Sequence, residues 1–324
     1  MLNLVTGGAG FLGSHLSNAL VDDGQHVIII DNLSSGHVRN LEHAVSSGRA
    51  TFIYGDVAVA TERLDGILHD ALAGRSIDRI WHLASPASPD AYGAHPWETL
   101  AVNGMATMSL IDFALQHRAR FLYTSTSEIY GDPLVHPQPE SYFGNVDPIG
   151  PRSCYDEGKR FGEAAVATGV RARGLDGRLV RFFNCYGPMM ERGDGRLIPA
   201  LVEAIQNGKP LPIQGTGKQT RSMTFVDDAI ELLRLVMERP QAVLQPINIG
   251  NDDERSVEDI ARTLAAVTGV AFNPAYEPAR EGDPQRRKPD LTLARGYGWA
   301  PSTPLEEGLR ITWRWFSEER LAFA

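Results

Sequence analysis

The sequence predicts an α/β fold: a doubly wound parallel sheet that carries a smaller C-terminal substrate-binding region. Three observations predict it. Short apolar runs recur through the first half without polar alternation, the pattern of strands buried on both faces. Helix-length stretches separate those runs, as a parallel sheet requires. A cluster of glycines joins the first run to the first helix.

In chain order, Leu2-Asn3-Leu4-Val5-Thr6 reads as the first strand and Phe11 to Val21 as the first helix. His26 to Ile30 is a β-branched run ending at Asp31, and Ala50 to Tyr54 ends near Asp56. Ile80 to Ala84 and Phe121 to Ser125 repeat the pattern, with a helix over Thr99 to His117 between them. After Arg181, glycine and proline become frequent, in Gly187-Pro188, Lys209-Pro210 and Gly215-Thr216-Gly217. Helices are expected near Leu197 to Asn207, Asp227 to Met237 and Val257 to Thr268. Pro246 to Gly250 reads as a strand returning to the sheet. The expected division is a first domain over residues 1–180 and a smaller region over 181–324, partly interleaved with it.

Composition narrows the function. The 324 residues amount to about two domains. Hydrophobic residues at 43% and charged residues at 22% are ordinary globular values. Net charge is 31 − 40 = −9, so no general basic surface serves nucleic acid or an anionic membrane. Cys154 and Cys185 are the only cysteines and fit neither a metal spacing nor a disulfide framework, which agrees with a reducing, cytoplasmic setting. No metal site is expected. No apolar run is long enough to span a bilayer, and the chain starts on a strand rather than on a signal-peptide pattern.

The glycines fall as Gly7-x-x-Gly10-x-x-Gly13 between strand and helix. Gly7 permits a tight turn, Gly10 lets backbone approach a pyrophosphate, and Gly13 lets helix pack on strand. The helix N-terminus then offers free N–H groups to phosphate. Asp31 ends the second strand, where a carboxylate accepts from both ribose hydroxyls and repels a 2′-phosphate, which favours NAD over NADP. Asn32 and Ser34-Ser35 follow, and Asp56-Val57 stands where the third strand ends. The domain is therefore expected to be a Rossmann-type NAD-binding domain. Arg39 is expected to be solvated.

Tyr155 and Lys159 lie four residues apart, on one face of a helix. Free tyrosine, with a pKa of about 10, is a poor base at neutral pH. A nearby ammonium and a cationic cofactor ring favour its phenolate. Ser125-Thr126-Ser127-Glu128 ends a strand, and strand C-termini line the ligand crevice of such sheets. Thr126, Ser127 and Glu128 then reach a substrate near Tyr155, or else cap the following segment. A buried Glu128 is costly without a task. His82 reads as a core histidine with its hydrogen bonds met, Cys154 as small and buried, and Glu318-Glu319-Arg320 as a solvated helix face.

These residues resemble the extended short-chain dehydrogenase/reductase superfamily of nucleotide-sugar enzymes (the NAD-dependent epimerase/dehydratase family), over nearly the whole chain. Within it, the chain is similar to the branch that decarboxylates UDP-glucuronate. Three stretches carry that likeness: Leu83-Ala84-Ser85-Pro86-Ala87-Ser88-Pro89, Ser125 to Pro133, and Pro148 to Arg160 with Pro151-Arg152-Ser153-Cys154-Tyr155-Asp156-Glu157-Gly158-Lys159-Arg160. Phe183-Asn184-Cys185-Tyr186-Gly187-Pro188, Asp194-Gly195-Arg196 and Gln219-Thr220-Arg221 complete it. Met189, Cys185 and Glu98 depart from the branch, which often has Arg, Thr and Lys there.

The resemblance implies NAD as cofactor, with Phe11, Leu12, Ser35, Gly36, Leu83, Ala84, Ser85 and Thr99 joining the cofactor set beside Tyr155 and Lys159. It implies that Tyr155 takes the C4 hydroxyl proton, that a 4-keto intermediate loses carbon dioxide from C5, and that UDP-xylose forms with NAD recycled. Arg221 is then the first candidate to hold substrate phosphates or carboxylate, Arg196 the second and Arg286-Arg287 the third. Gln219, Ser88 and Asn184 join Arg221, Arg196 and Arg286 in the substrate set. A homodimer through Thr99 to His117 and the Tyr155 helix is implied as well. Relatives that expel a 6-hydroxyl carry an Asp-Glu pair where this chain has Ser127-Glu128, and serine cannot be that general acid. Alternatives from the sequence are a 4-epimerase or 4,6-dehydratase, and, from another class, a non-catalytic nucleotide-sugar-binding protein.

Overall fold

A computed structural model describes residues 1–279, 282 and 284–322, the side chains of 321 and 322 apart. The first half builds strands β1 (Leu2–Thr6), β2 (His26–Asp31), β3 (Ala50–Tyr54), β4 (Arg79–His82), β5 (Arg120–Thr126) and β6 (Gly177–Phe182). Between them run helices α1 (Phe11–Asp22), α2 (Glu42–Ser46), α3 (Thr61–Leu72), α4 (Pro89–Ala94), α5 (Pro96–Ala101), α6 (Thr107–His117) and α7 (Ser153–Arg173). The second half adds short strands β7 (Cys185–Tyr186), β8 (Leu211–Gln214), β9 (Thr220–Ser222), β10 (Thr224–Phe225), β11 (Pro246–Ile249), β12 (Glu254–Ser256) and β13 (Pro274–Glu277). Its helices are α8 (Leu197–Gln206), α9 (Val226–Glu238), α10 (Val257–Thr268), α11 (Thr292–Gly296) and α12 (Leu305–Ala322). No helix among the described residues is long and apolar enough to cross a membrane.

Seven parallel strands form the central sheet in the order β11-β6-β5-β4-β1-β2-β3. The chain enters at β1, winds outward through β2 and β3, then returns to β4 on the other side of β1. That reversal opens a crevice beyond the strand ends, between β1 and β4, where doubly wound sheets bind ligands. Successive residues of one strand face opposite layers. Val5, Ile29, Trp81 and Leu122 pack into one hydrophobic layer, while Leu4, Ile28, Ile80 and Phe121 pack into the other. Both faces are therefore dry, which is why the strands read as unbroken apolar runs.

The helix expected over Thr99 to His117 is interrupted by a π-helical turn, Val102–Ala106, between α5 and α6. Asn103, in that turn, donates to the Ser85 hydroxyl and accepts from the Tyr123 hydroxyl, so the wider turn lets a polar side chain reach the strand ends. Helix α7 lies unusually close to the sheet: a Cβ on Gly162 would overlap the Tyr123 hydroxyl. That close approach sets the depth of Tyr155 and Lys159.

His82 is buried and bonded to the Thr6 hydroxyl, the Val102 carbonyl and Thr107, and burial pushes its pKa down to about 3. Arg39 is exposed, as are Glu318 and Arg320, but one expectation of solvated charge fails. Glu319 is buried and pairs with Arg39 at 2.7 Å and Arg192 at 3.0 Å. These pairs tie α12 back to the first domain and to the loop after β7.

Candidate active site

The glycine turn fits a dinucleotide closely. Gly7 adopts φ +69°, and a Cβ there would stand 2.7 Å from the Ala84 backbone at the end of β4. A Cβ on Gly13 would overlap the Gly7 carbonyl, and one on Gly36 would stand 2.7 Å from Ala9 carbonyl carbon. Gly10 is the N-cap of α1 in extended conformation with no side-chain cap, so the first-turn N–H groups stay available for phosphate. Asp31 is buried; one carboxylate oxygen accepts from Ala9 N–H at 2.9 Å, the other from Leu33 N–H at 2.7 Å. Burial pushes its pKa up, against the pull of those backbone bonds. Carboxylate oxygens each accept more than one bond, so ribose hydroxyls can still be met. NAD therefore fits the residues of the turn.

The remaining cofactor candidates are spread around this crevice. Asn32 donates to the Asp56 carboxylate at 3.4 Å, and Val57 is buried beside it. Phe11 and Leu12 open α1, while Ser35 and Gly36 sit in the loop beyond β2. Leu83, Ala84 and Ser85 leave β4, with Ala84 N–H on the Thr6 hydroxyl. Thr99 is fully buried and donates its hydroxyl to the His95 carbonyl one helical turn back.

Beyond the crevice lies a cavity of about 310 Å³. Thr126, Glu128, Tyr155, Asn184, Arg196, Gln219 and Arg221 all line it, from both halves of the chain. Ser127 is buried behind Thr126 and does not line it; Ser88 is buried as the N-cap of α4, accepting from Ala91 N–H at 3.2 Å. Asn184 Oδ1 is buried with no hydrogen-bond partner, poised for a ligand donor. Arg221 is fixed by bonds to the carbonyls of Thr220 and Pro284, and Arg196 by Asp194 and the face of Phe11.

Arg286 needs correction. Its side chain is 61% exposed, whereas neighbouring Arg287 is 7% exposed and lines the cavity. In an extended stretch adjacent residues face opposite ways, and the sequence alone did not say which arginine faces in. Arg287 grips Glu128 through both oxygens, at 2.6 and 2.8 Å. Arg152, on the N-cap of α7, reaches the same carboxylate at 2.5 Å. Glu128 thus sits between two guanidinium groups. Tyr92, from α4, stacks on Tyr155 with ring centroids 5.0 Å apart. Neither Arg152 nor Tyr92 was singled out from the sequence; Arg152 lay inside the Pro148 to Arg160 match, but Tyr92 had no local signal.

Lys159 lies beside Tyr155 and is anchored on a backbone carbonyl. Its Nζ donates to the Thr124 carbonyl at 2.8 Å and lies 5.8 Å from the Tyr155 ring centroid. Burial pushes its pKa down to about 7. Burial, and then the Glu128 charge, push the Tyr155 phenol up, while the Thr126 hydroxyl pulls it down. The chain's own groups therefore keep Tyr155 protonated, and ionisation awaits an added positive charge in the crevice.

The chain is 40% identical to UDP-glucuronic acid decarboxylase 1 of Xenopus tropicalis over 98% of its own length and 72% of that protein. It is 42% identical to UDP-glucuronic acid decarboxylase 1 of Arabidopsis thaliana, over 94% of this chain and 67% of that one. Among solved structures, the UDP-glucose 4-epimerase of Thermotoga maritima superposes with a TM-score of 0.89 at 30% identity, covering 99% of this chain and all of that one. Residues 3–250 match the family model. With a glycine turn that accepts a dinucleotide and a buried Tyr155-x-x-x-Lys159 at the cavity, the chain belongs to the NAD dependent epimerase/dehydratase family.

Proposed function

We propose that this protein decarboxylates UDP-glucuronate to UDP-xylose. The observation that carries the reading is Arg152 and Arg287 converging on one carboxylate beside Tyr155. A buried pair of arginines is a receptor for a carboxylate, because the planar fork pairs with it bidentately. Its 40% identity to decarboxylases along nearly its whole length supports the same reading.

NAD, bound along the glycine turn, would supply hydride removal and return at C4 of the sugar. Tyr155 Oη takes the proton of the C4 hydroxyl, and the Thr126 hydroxyl holds the same oxygen. A ketone at C4 stands β to the C5 carboxylate, so carbon dioxide leaves with its electron pair entering an enolate. Tyr155 steadies that enolate oxygen by hydrogen bonding. Arg287 and Arg152 orient the carboxylate before it leaves. Asn184, Arg196 and Arg221 hold the diphosphate end.

Incubation with UDP-glucuronate, read by mass spectrometry, should give UDP-xylose and carbon dioxide. UDP-galacturonate as the sole product would make the protein a 4-epimerase instead. Tyr155→Phe should lower kcat by at least about 100-fold, the usual scale for removing a proton-transfer group, while NAD binding persists.

The homodimer reading rests on an apolar surface. Trp97 is 79% exposed, with Met105, Met108 and Phe161 exposed nearby on α5, the π-helical turn, α6 and α7. A second copy covering that face would bury it.

A further inference from the structure

We propose that Asp156 takes up one proton when a carboxylated sugar enters the cavity, and gives it up once that carboxylate has gone. The proposal rests on the uronate reading above and deepens it. Asp156 follows Tyr155 on α7 and is buried. The charges around it alternate: Arg287 on Glu128, Glu128 on Arg152, and Arg152 Nε 4.0 Å from Asp156 Oδ2. Two cations and two carboxylates of the described residues thus share one partly buried cluster. A third carboxylate between the arginines adds a negative charge where water screens poorly.

Asp156 is the member best able to neutralise it. Glu128 holds two charged hydrogen bonds and a further guanidinium ion pair at 2.6 Å. Asp156 has its nearer cation beyond hydrogen-bond length and its Oδ1 buried without a hydrogen-bond partner. An ionised oxygen in that state is costly, whereas a protonated carboxyl is not. Burial first, then the Glu128 charge, push its pKa up to about 7, while Arg152 and Arg287 pull it down. Among the described residues, Glu157 and Cys154 on its own helix, and the hydroxyls of Tyr155 and Tyr92, are the other titratable groups that act with it.

The proton count supports the assignment. Tyr155 takes a proton from the C4 hydroxyl and later returns one, for no net change. Decarboxylation breaks the bond from C5 to the carboxyl carbon, leaves the electron pair in the enolate, and fixes a new proton on C5. Each turnover consumes one proton, and uptake at Asp156 brings one to the site with the substrate.

Calorimetric titration of NAD-loaded Tyr155→Phe, in buffers of different ionisation enthalpy, counts the protons bound. UDP-glucuronate should bring about half a proton at pH 7 and most of one at pH 8, as linkage with a group titrating near 7 requires. UDP-xylose, which has no carboxylate, should bring none. Adding Asp156→Asn should abolish the uptake, and in the otherwise native protein it should flatten the rise of KM for UDP-glucuronate between pH 7 and pH 9. Asp156→Glu should keep the uptake, which separates titration from a structural role. Equal proton counts for the two ligands, or uptake surviving Asp156→Asn, overturn the proposal alone. Failure of the NAD-loaded protein to bind UDP-glucuronate overturns the substrate assignment with it.

Discussion

Glu128 shows how one side chain organises the cavity. Its two ion pairs are mostly buried, so removing a partner leaves charge unmatched in a poorly screened place. Arg287→Met should therefore lower kcat/KM for UDP-glucuronate by about 100-fold or more, the order seen when one member of a buried charge pair is truncated. Arg286→Met, one residue away and exposed, should stay within about twofold. Steady-state kinetics of both variants check the pairing. The sequence marked both arginines but could not choose, because which faces in is set by the path of the chain after β13. Lys159 offers a pH test at the same scale. Its folded pKa, about 7, lies below the ordinary lysine value, because burial disfavours the ammonium. The unfolded chain binds more protons between those values, so this lysine's contribution to stability is lost as pH falls toward 7. Lys159→Met should raise the thermal midpoint of the cofactor-free protein at pH 7, and the gain should shrink toward pH 10.

At the scale of elements, the turn between β1 and α1 was legible because strand, glycines and helix follow one another without a break between Leu2 and Asp22. The physical requirement is backbone packing. A Gly13→Ala methyl would collide with the Gly7 carbonyl, so the turn must open. NAD affinity, followed by fluorescence titration, should fall at least about tenfold, and the thermal midpoint should drop by several degrees, on the scale of overpacking. The break at the π-helical turn was not legible. Nothing in Val102 to Ala106 announces it, since the turn is held by Asn103 bonding to Ser85 and Tyr123 from elsewhere in the chain. Likewise Glu319 reads as solvated on its own helix, and only the approach of Arg39 and Arg192 buries it.

Over the whole molecule, β11 places a segment from the second half at the sheet edge, beside β6. The cavity is consequently lined from both halves, and neither half builds it alone. The exposed Trp97, Met105 and Phe161 face gives a prediction at this scale. Light scattering should report about twice the 35.4 kDa of one chain, and Trp97→Asp with Phe161→Asp should return the single-chain mass.

The sequence by itself determined the alternation of strands and helices through β5, the dinucleotide turn, the acidic end of β2, and the tyrosine and lysine on one helical face. Each follows from local spacing: apolar periodicity, glycine placement, and residues one helical turn apart. Tertiary structure alone decided which arginine meets Glu128, that Tyr92 stacks on Tyr155, and that Lys159 bonds to the Thr124 carbonyl. It also placed Asp156 in a line of alternating charges. Those are contacts between segments far apart in the chain, and their energies depend on burial, which no local pattern records.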